Sequence, residues 1–444
     1  MKTGAGIITN PPQSHRCPGE AHLRGYNVRS VTGFDTRENI LTCDGLALGT
    51  IAERHGTPTH VYSRRLLSER VTTFDEPFAS IRHRVHYALK ANSTLAIVRH
   101  MRSLGTGADV NSGGEIEVAL RAGFAPADMV FTGVGKSPDE LRRALDLNVL
   151  AINAESFGEI ERIAALAGNR PHPARIAIRI NPDVEAGSHP HISTGSKAAK
   201  FGVSLADAPA MIRDVVQHPA LRLVGLHVHI GSQLVTAEPL KRAASAIAGL
   251  ARDVLAQGVP LEHLDLGGGL GVAYKPDDPT MSPTTYATTI IDEVRSLGLT
   301  LLLEPGRWLV APAGCLLTRV VDLKPKPGGG WFVIVDAGMT DLMRPALYAA
   351  FHQIEPIAPR PGDPIRADIV GPVCETTDTL GVGRTLPPVE VGDVLAIRDT
   401  GAYGSVMASN YNRRPIAAEV MIEDGEARVI RRRQTVDDML QWDL

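Results

Sequence analysis

The chain has 444 residues, with 46 Lys+Arg against 49 Asp+Glu and a formal net charge of −3. That length exceeds one ordinary compact domain, and 43% hydrophobic with 21% charged residues supplies ample material for a large core plus an appendage. The near-neutral balance excludes a nucleic-acid partner or an anionic membrane, and apolar runs such as Leu299–Leu303 are far too short to span a bilayer. Four cysteines (Cys17, Cys43, Cys315, Cys374) lie scattered without CxxC pairing or metal spacing, which argues against a disulfide framework and fits a reducing cytoplasm.

Residues 1–30 carry Pro11, Pro12 and Pro18 with no apolar core segment, so an irregular N-terminal extension is expected rather than a secretory signal. Residues 31–60 hold a short strand-like piece, Ile40–Cys43, and a helix ending near His55. Both are expected to join a later β domain. Residues 61–310 read as one barrel domain. Within it, apolar β-branched runs recur at Val85–Leu89, Ala108–Val110, Met129–Thr132, Leu150–Asn153, Arg175–Ile180, Val224–Ile230, His263–Leu266 and Thr300–Glu304. Amphipathic helices separate them at Leu95–Ser103, Gly114–Arg121, Pro138–Leu147, Phe157–Ala167, Ala206–Val216, Leu240–Ala256 and Tyr286–Ser296. Ser137 with Glu140 three residues on is a capping-box signature. Eight strands alternating with helices over about 220 residues predict a (β/α)8 barrel, with an open doubly wound sheet as the competitor. Residues 311–444 lose the long helices. Runs at Trp331–Asp336, Ala367–Val370, Val394–Arg398 and Ala418–Ile422, with a hairpin turn at Asp424-Gly425, predict a C-terminal, mainly β domain. Lys324–Gly330 reads as a surface hairpin loop.

Chemistry in such a barrel belongs at the C-terminal ends of the strands. The first strand ends in Tyr87-Ala88-Leu89-Lys90-Ala91-Asn92. Lys90 is either a lysine reaching solvent or an amine of lowered pKa able to form a Schiff base. The sixth carries His227-Val228-His229-Ile230-Gly231-Ser232-Gln233, whose alternation sends both histidines to one face. They can be structural, part of a metal site lacking further ligands at convincing spacing, or a flat ring against an aromatic cofactor. The seventh ends in Gly267-Gly268-Gly269, a tight turn or a phosphate cradle. The eighth ends in Glu304-Pro305-Gly306-Arg307, a plain ion pair or a carboxylate for a ring nitrogen beside a guanidinium for a phosphate. Together these are the parts of a pyridoxal-phosphate site.

His86–Asn92, Asp109–Glu115, Phe131–Ser137, Arg179–Asp183, Lys200–Gly202, His229–Gln233, Gly267–Gly269 and Glu304–Arg307 resemble the fold-type III, alanine-racemase-like pyridoxal-phosphate decarboxylases. His191–Gly195, Met343–Tyr348, Gly371–Glu375 and Gly401–Gly404 are similar to the diaminopimelate-specific branch. The resemblance runs from about residue 45 to 422. It implies that Lys90 holds pyridoxal 5′-phosphate, that His229 stacks on its ring and that Glu304 keeps its nitrogen protonated. Ser232, Gly267, Gly268, Gly269 and Arg307 would surround the phosphate, with Tyr403 nearby. Arg307, Arg344, Tyr348, Tyr403 and Glu375 would hold the substrate. Cys374 would be a proton donor supplied by the second subunit of a homodimer that shares its sites, and no metal is implied. The implied activity is decarboxylation of meso-2,6-diaminopimelate to L-lysine and CO2. The alternatives are another amino acid or a carrier-bound glutamyl group on the same fold, a barrel metallohydrolase, and a non-catalytic relative. Thr376-Thr377 where serines are usual, Tyr411–Pro415, and Asn111 where valine is common depart from the family pattern.

Overall fold

A computed structural model describes residues 33–168, 170–184 and 200–443. The N-terminal extension and the His191–Gly195 motif therefore lie outside the described residues.

Eight parallel strands close into a barrel: His83–Ala88, Gly107–Val110, Met129–Phe131, Ala151–Ala154, Ala174–Asn181, Leu221–Val228, His263–Asp265 and Thr300–Leu303. Closure is explicit in the register, because the eighth strand pairs with the first (Leu303 opposite Val85) and the fourth with the fifth (Ile152 opposite Ile176). The doubly wound alternative is excluded. Helices Leu95–Ser103, Pro138–Leu147 and Phe157–Ala167 take the bounds their sequences predict. At Pro138–Leu147 the Ser137/Glu140 capping box starts the helix and left-handed Asn148 (φ 51°) ends it. The helix expected from Leu240 begins earlier, at Ala237, its first turn disguised by Glu238 and Pro239.

The second architectural unit is a β domain built on the twelve-residue strand Gly314–Pro325, which pairs with Thr59–Ser63, Val394–Ile397 and Trp331–Val335. Ala418–Glu423 pairs parallel to Thr59–Ser63 and antiparallel to Glu426–Arg431. The turn between them places Asp424 and Gly425 at φ 51° and 79°, the two positive values a tight hairpin needs. Phe34, Leu41, Cys43, Leu48 and Ile51 pack with Val61, Cys315, Leu317 and Val420 in one buried cluster, so the segment before the barrel completes this domain's core. No helix among the described residues is long and apolar enough to cross a membrane.

Candidate active site

The barrel mouth gathers the expected residues around one buried charge cluster. Lys90 follows the first strand in a short 3-10 turn, and its Nζ meets Asp109 Oδ2 at 2.6 Å. Asp109 is fully buried at the end of the second strand, and its other oxygen accepts from Asn111 Nδ2 at 2.9 Å. The departure at Asn111 thus puts an amide on the carboxylate that holds the lysine. Burial presses Lys90 toward the neutral amine, but the carboxylates of Asp109 and Glu304 outweigh it and raise its pKa above the ordinary range. Of the two readings of Lys90, an amine of lowered pKa is therefore corrected: Asp109 holds an ammonium.

Glu304 lies 4% exposed just past the eighth strand, with Oε2 3.3 Å from His227 Nε2. Burial alone would raise Glu304, yet His227 and Lys90 hold it below the usual carboxylate range. Asp265, unassigned by the sequence, is buried beside it, and one ligand atom each from His227, Asp265 and Glu304 lies within 4.8 Å of the others. Sequence spacing offered no further ligand for the pair His227 and His229, and the fold gathers Asp265 and Glu304 around His227 without His229. Burial and then the Glu304 charge push Asp265 well above its normal range. Asp265 Oδ1 also accepts the Gly267 N–H at 2.8 Å, tying the glycine turn to this cluster.

The triple glycine has a packing reason as well as a ligand reason. The seventh-strand turn is sandwiched between the sixth and eighth. A Cβ on Gly267 (φ +63°) would stand 2.5 Å from His229 Nδ1, one on Gly269 (φ +104°) 2.6 Å from the Gly231 carbonyl, and one on Gly268 would collide with the Glu304 carbonyl. His229 Nδ1 accepts the Gly268 N–H at 3.1 Å, and burial, Lys90 and Arg179 lower its pKa to about 3, so the ring is neutral. Arg307, 7% exposed, donates Nε to Ser232 Oγ at 3.1 Å and Nη1 to the Tyr274 hydroxyl at 2.9 Å. Tyr403 lies under Arg307, its ring centroid 4.8 Å from the guanidinium carbon. Its backbone takes the left-handed φ of 56°, a strained state for a bulky residue, and its N–H is fixed on the Ala91 carbonyl at 2.8 Å.

Beyond Arg307, Arg344 opens the short helix Arg344–Tyr348, is 6% exposed and stacks on Tyr274 at 4.6 Å. Tyr348 closes that helix, half-buried near Arg307. Cys374 and Glu375 lie apart. Both are exposed, Glu375 Oε1 accepts from the Tyr411 hydroxyl at 2.7 Å, and among the described residues no hydrogen bond or ion pair joins them to the barrel mouth. Thr376 and Thr377 are exposed on the same loop.

A pyridoxal phosphate fits this donor set. Lys90 is an amine with one partner, Glu304 Oε1 is buried without a donor on an ionised neighbour, and Arg307 with Ser232 has no acidic partner among the described residues. Sequence reasoning assigned no role to Asp109, Asp265, Tyr274 or His352. An acid buried in an apolar strand, as at Asp265, is a signal in itself.

Residues 64–311 match the family described as pyridoxal-dependent decarboxylase, pyridoxal binding domain. The chain is 46% identical over 405 residues to diaminopimelate decarboxylase of Neisseria meningitidis serogroup A, covering 91% of this chain and 99% of that one. It is 44% identical over 406 residues to the enzyme of the same name from Pseudomonas aeruginosa, covering 91% and 97%. The crystal structure of diaminopimelate decarboxylase from Helicobacter pylori complexed with L-lysine superposes with a TM-score of 0.85 at 42% identity, over 89% of this chain and 98% of that one. Barrel, lysine, glycine turn and Glu304–Arg307 thus meet a match that spans both structural units, and the chain belongs to the pyridoxal-dependent decarboxylases of the diaminopimelate decarboxylase family.

Proposed function

We propose that this chain removes CO2 from meso-2,6-diaminopimelate to give L-lysine, the last step of lysine biosynthesis. The observation that carries the substrate is the pair Arg307 and Arg344. These are two buried guanidiniums on either side of Tyr274, with no carboxylate paired to either among the described residues. Two uncompensated buried cations call for two anions, a phosphate for one and the substrate's distal carboxylate for the other. A simple basic substrate such as ornithine or lysine would bring an ammonium to Arg344 instead, which disfavours the nearest rivals.

Pyridoxal 5′-phosphate, when bound, supplies the electron sink without which the carbanion left by CO2 is inaccessible. The protein's share is to place charge. Lys90 Nζ, held by Asp109, would anchor the group. Glu304, held by His227, would favour a proton at the ring nitrogen, and neutral His229 would offer a flat face. Ser232, Gly267–Gly269, Arg307 and Tyr403 take the phosphate end. Arg344 and Tyr348 take the distal head group. Cys374 and Glu375, exposed on one chain, complete the site of a second copy in a homodimer, Cys374 as proton donor and Glu375 for the distal ammonium. The described cysteines Cys43, Cys315 and Cys374 are all free, in keeping with a cytoplasmic location.

The test is CO2 release by the cofactor-loaded protein from meso-diaminopimelate, with L-lysine, L-ornithine and L-arginine in parallel. Release from diaminopimelate alone is expected. Release from the others only, or from none with cofactor bound, would overturn the substrate assignment. The shared site is tested by mixing Lys90→Ala with Cys374→Ala chains. Random reassortment of two inactive parents should restore roughly a quarter of wild-type activity, whereas independent sites restore none.

A further inference from the structure

We propose that His352 is a positioning residue that sets substrate specificity: its Nε2 accepts a hydrogen bond from Arg344 Nη1 and so aims the guanidinium at the substrate's distal carboxylate. This inference rests on the reading above, that Arg344 receives that carboxylate.

The geometry fixes the imidazole's role. His352 is 0% exposed, with Nδ1 hydrogen-bonded to the Arg398 carbonyl at 2.8 Å and Nε2 to Arg344 Nη1 at 2.8 Å. A carbonyl oxygen only accepts, so Nδ1 carries the hydrogen. Nε2 is then bare, and a guanidinium, which only donates, is the partner it requires. Burial and the Arg344 charge lower the His352 pKa to about 3, which keeps the ring neutral. The chain reaches this position through Ala349, whose left-handed φ of 50° turns the backbone after the short helix and returns His352 to Arg344.

A neutral acceptor does what a carboxylate at the same place would not. An aspartate or glutamate would orient Arg344 equally well, but it would neutralise the guanidinium and compete with the substrate. Imidazole spends one N–H of five and leaves the full charge for the ligand. Tyr274 completes the support. Its ring carries Arg344 on its face and meets His352 edge-on, with centroids 5.3 Å apart at 74°, while its hydroxyl accepts from Arg307. Two like-charged guanidiniums are thus held around one phenol, and His352 secures the outer one. Arg398, through its backbone, links this support to the strand Val394–Ile397 of the β domain.

The experiment compares wild-type holoenzyme with His352→Phe, His352→Asn and His352→Gln. Two ligands that differ only in one carboxylate, L-lysine and 1,5-diaminopentane, are used as inhibitors alongside diaminopimelate as substrate. Loss of an oriented charged hydrogen bond should raise KM for diaminopimelate and the inhibition constant of L-lysine by about tenfold in His352→Phe and His352→Asn. kcat and the 1,5-diaminopentane constant should move by less than about twofold. Glutamine, whose amide can accept from Arg344 and donate to Arg398, should recover most of the loss. Unchanged L-lysine affinity in a folded variant, or equal loss for both inhibitors, overturns the proposal. If His352→Phe does not fold, the asparagine and glutamine pair decides by the same differential. A wild-type protein inactive on diaminopimelate would fail the functional reading itself, an outcome separate from these.

Discussion

Two lysines follow barrel strands in this molecule, and their surroundings differ in a way that separates structure from chemistry. Lys136, after the third strand, has a side chain only 1% exposed. Its three donors are spent on the Gly133 carbonyl (2.7 Å), the Asn153 carbonyl (2.8 Å) and Glu159 Oε1 (2.9 Å). An ammonium has three donors, so nothing remains for a ligand. Lys90, after the first strand, keeps a side chain 35% exposed and one protein partner, Asp109. Beside it stand the carboxylates of Asp109 and Glu304. A fully satisfied buried lysine is a brace between loops. A partly satisfied one facing the mouth, beside the carboxylates of Asp109 and Glu304, is placed to be the reagent we propose.

The largest effect should come from the reagent. Lys90→Ala is expected to lower CO2 release by about 10³-fold or more, because anchoring and proton transfer are lost together. Its unfolding midpoint should fall by less than that of a Lys136 variant, since Asp109 keeps the Asn111 amide and burial already favours its neutral form. Steady-state assays and thermal melts of the same preparation check both halves, and substantial turnover in this variant would remove the distinction between the two lysines.

Lys136→Met should do the reverse. It strands Glu159, 2% exposed, without its cation and removes the donors to the Gly133 and Asn153 carbonyls, a loss of about 3–5 kcal/mol in stability. Turnover per folded, cofactor-bound site should change by less than about twofold. Urea titration with active-site counting decides. Undiminished stability with lost turnover would make Lys136 catalytic instead. Arg344→Ala comes next, at about 2–5 kcal/mol in kcat/KM for diaminopimelate with little change in global stability. Unchanged discrimination between diaminopimelate and lysine would contradict the distal assignment.

The sequence made the barrel legible because each strand is a short apolar run closed by polar turn residues and followed by a helix with its own cap, as Ser137 shows. Lys90, His229, the glycine turn, Glu304 and Arg307 were legible because strand ends are where a barrel places chemistry. The strand Gly314–Pro325 escaped notice despite being central to the β domain: it begins four residues past the short helix Arg307–Val310, and its first five residues are all buried, so it shows no alternation. Tyr274 and His352 escaped for a different reason. Their defining partners, Arg307 and Arg344, come from other segments, and neither residue sits on a periodic element whose face could be deduced. Asp109 lay inside a recognised motif, but its role depends on the register that sets Ala88 opposite it, next to Lys90.

The smallest effect tests whether the reagent's surroundings carry a stability cost that the brace does not. Glu115, at the start of the helix Gly113–Ala122, accepts the Asn111 N–H at 2.7 Å, yet burial raises its carboxyl pKa to about 7, with the Asp109 charge adding to the rise. In the unfolded chain it ionises near about 4.3. Between those values the unfolded state has released a proton that the folded state still holds. Stability therefore falls as pH rises through that window and levels off above it. Glu115→Gln keeps the acceptor for Asn111 and removes the titration. It should be close to neutral near pH 4 and, allowing for partial exposure, more stable than wild type by about 1 kcal/mol at pH 8. Urea unfolding at the two pH values measures this difference directly. A gain of equal size at both would mean that packing, not charge, is the source. A gain confined to high pH would show that the acids gathered around Lys90 are kept at the expense of stability, as expected of groups placed for chemistry.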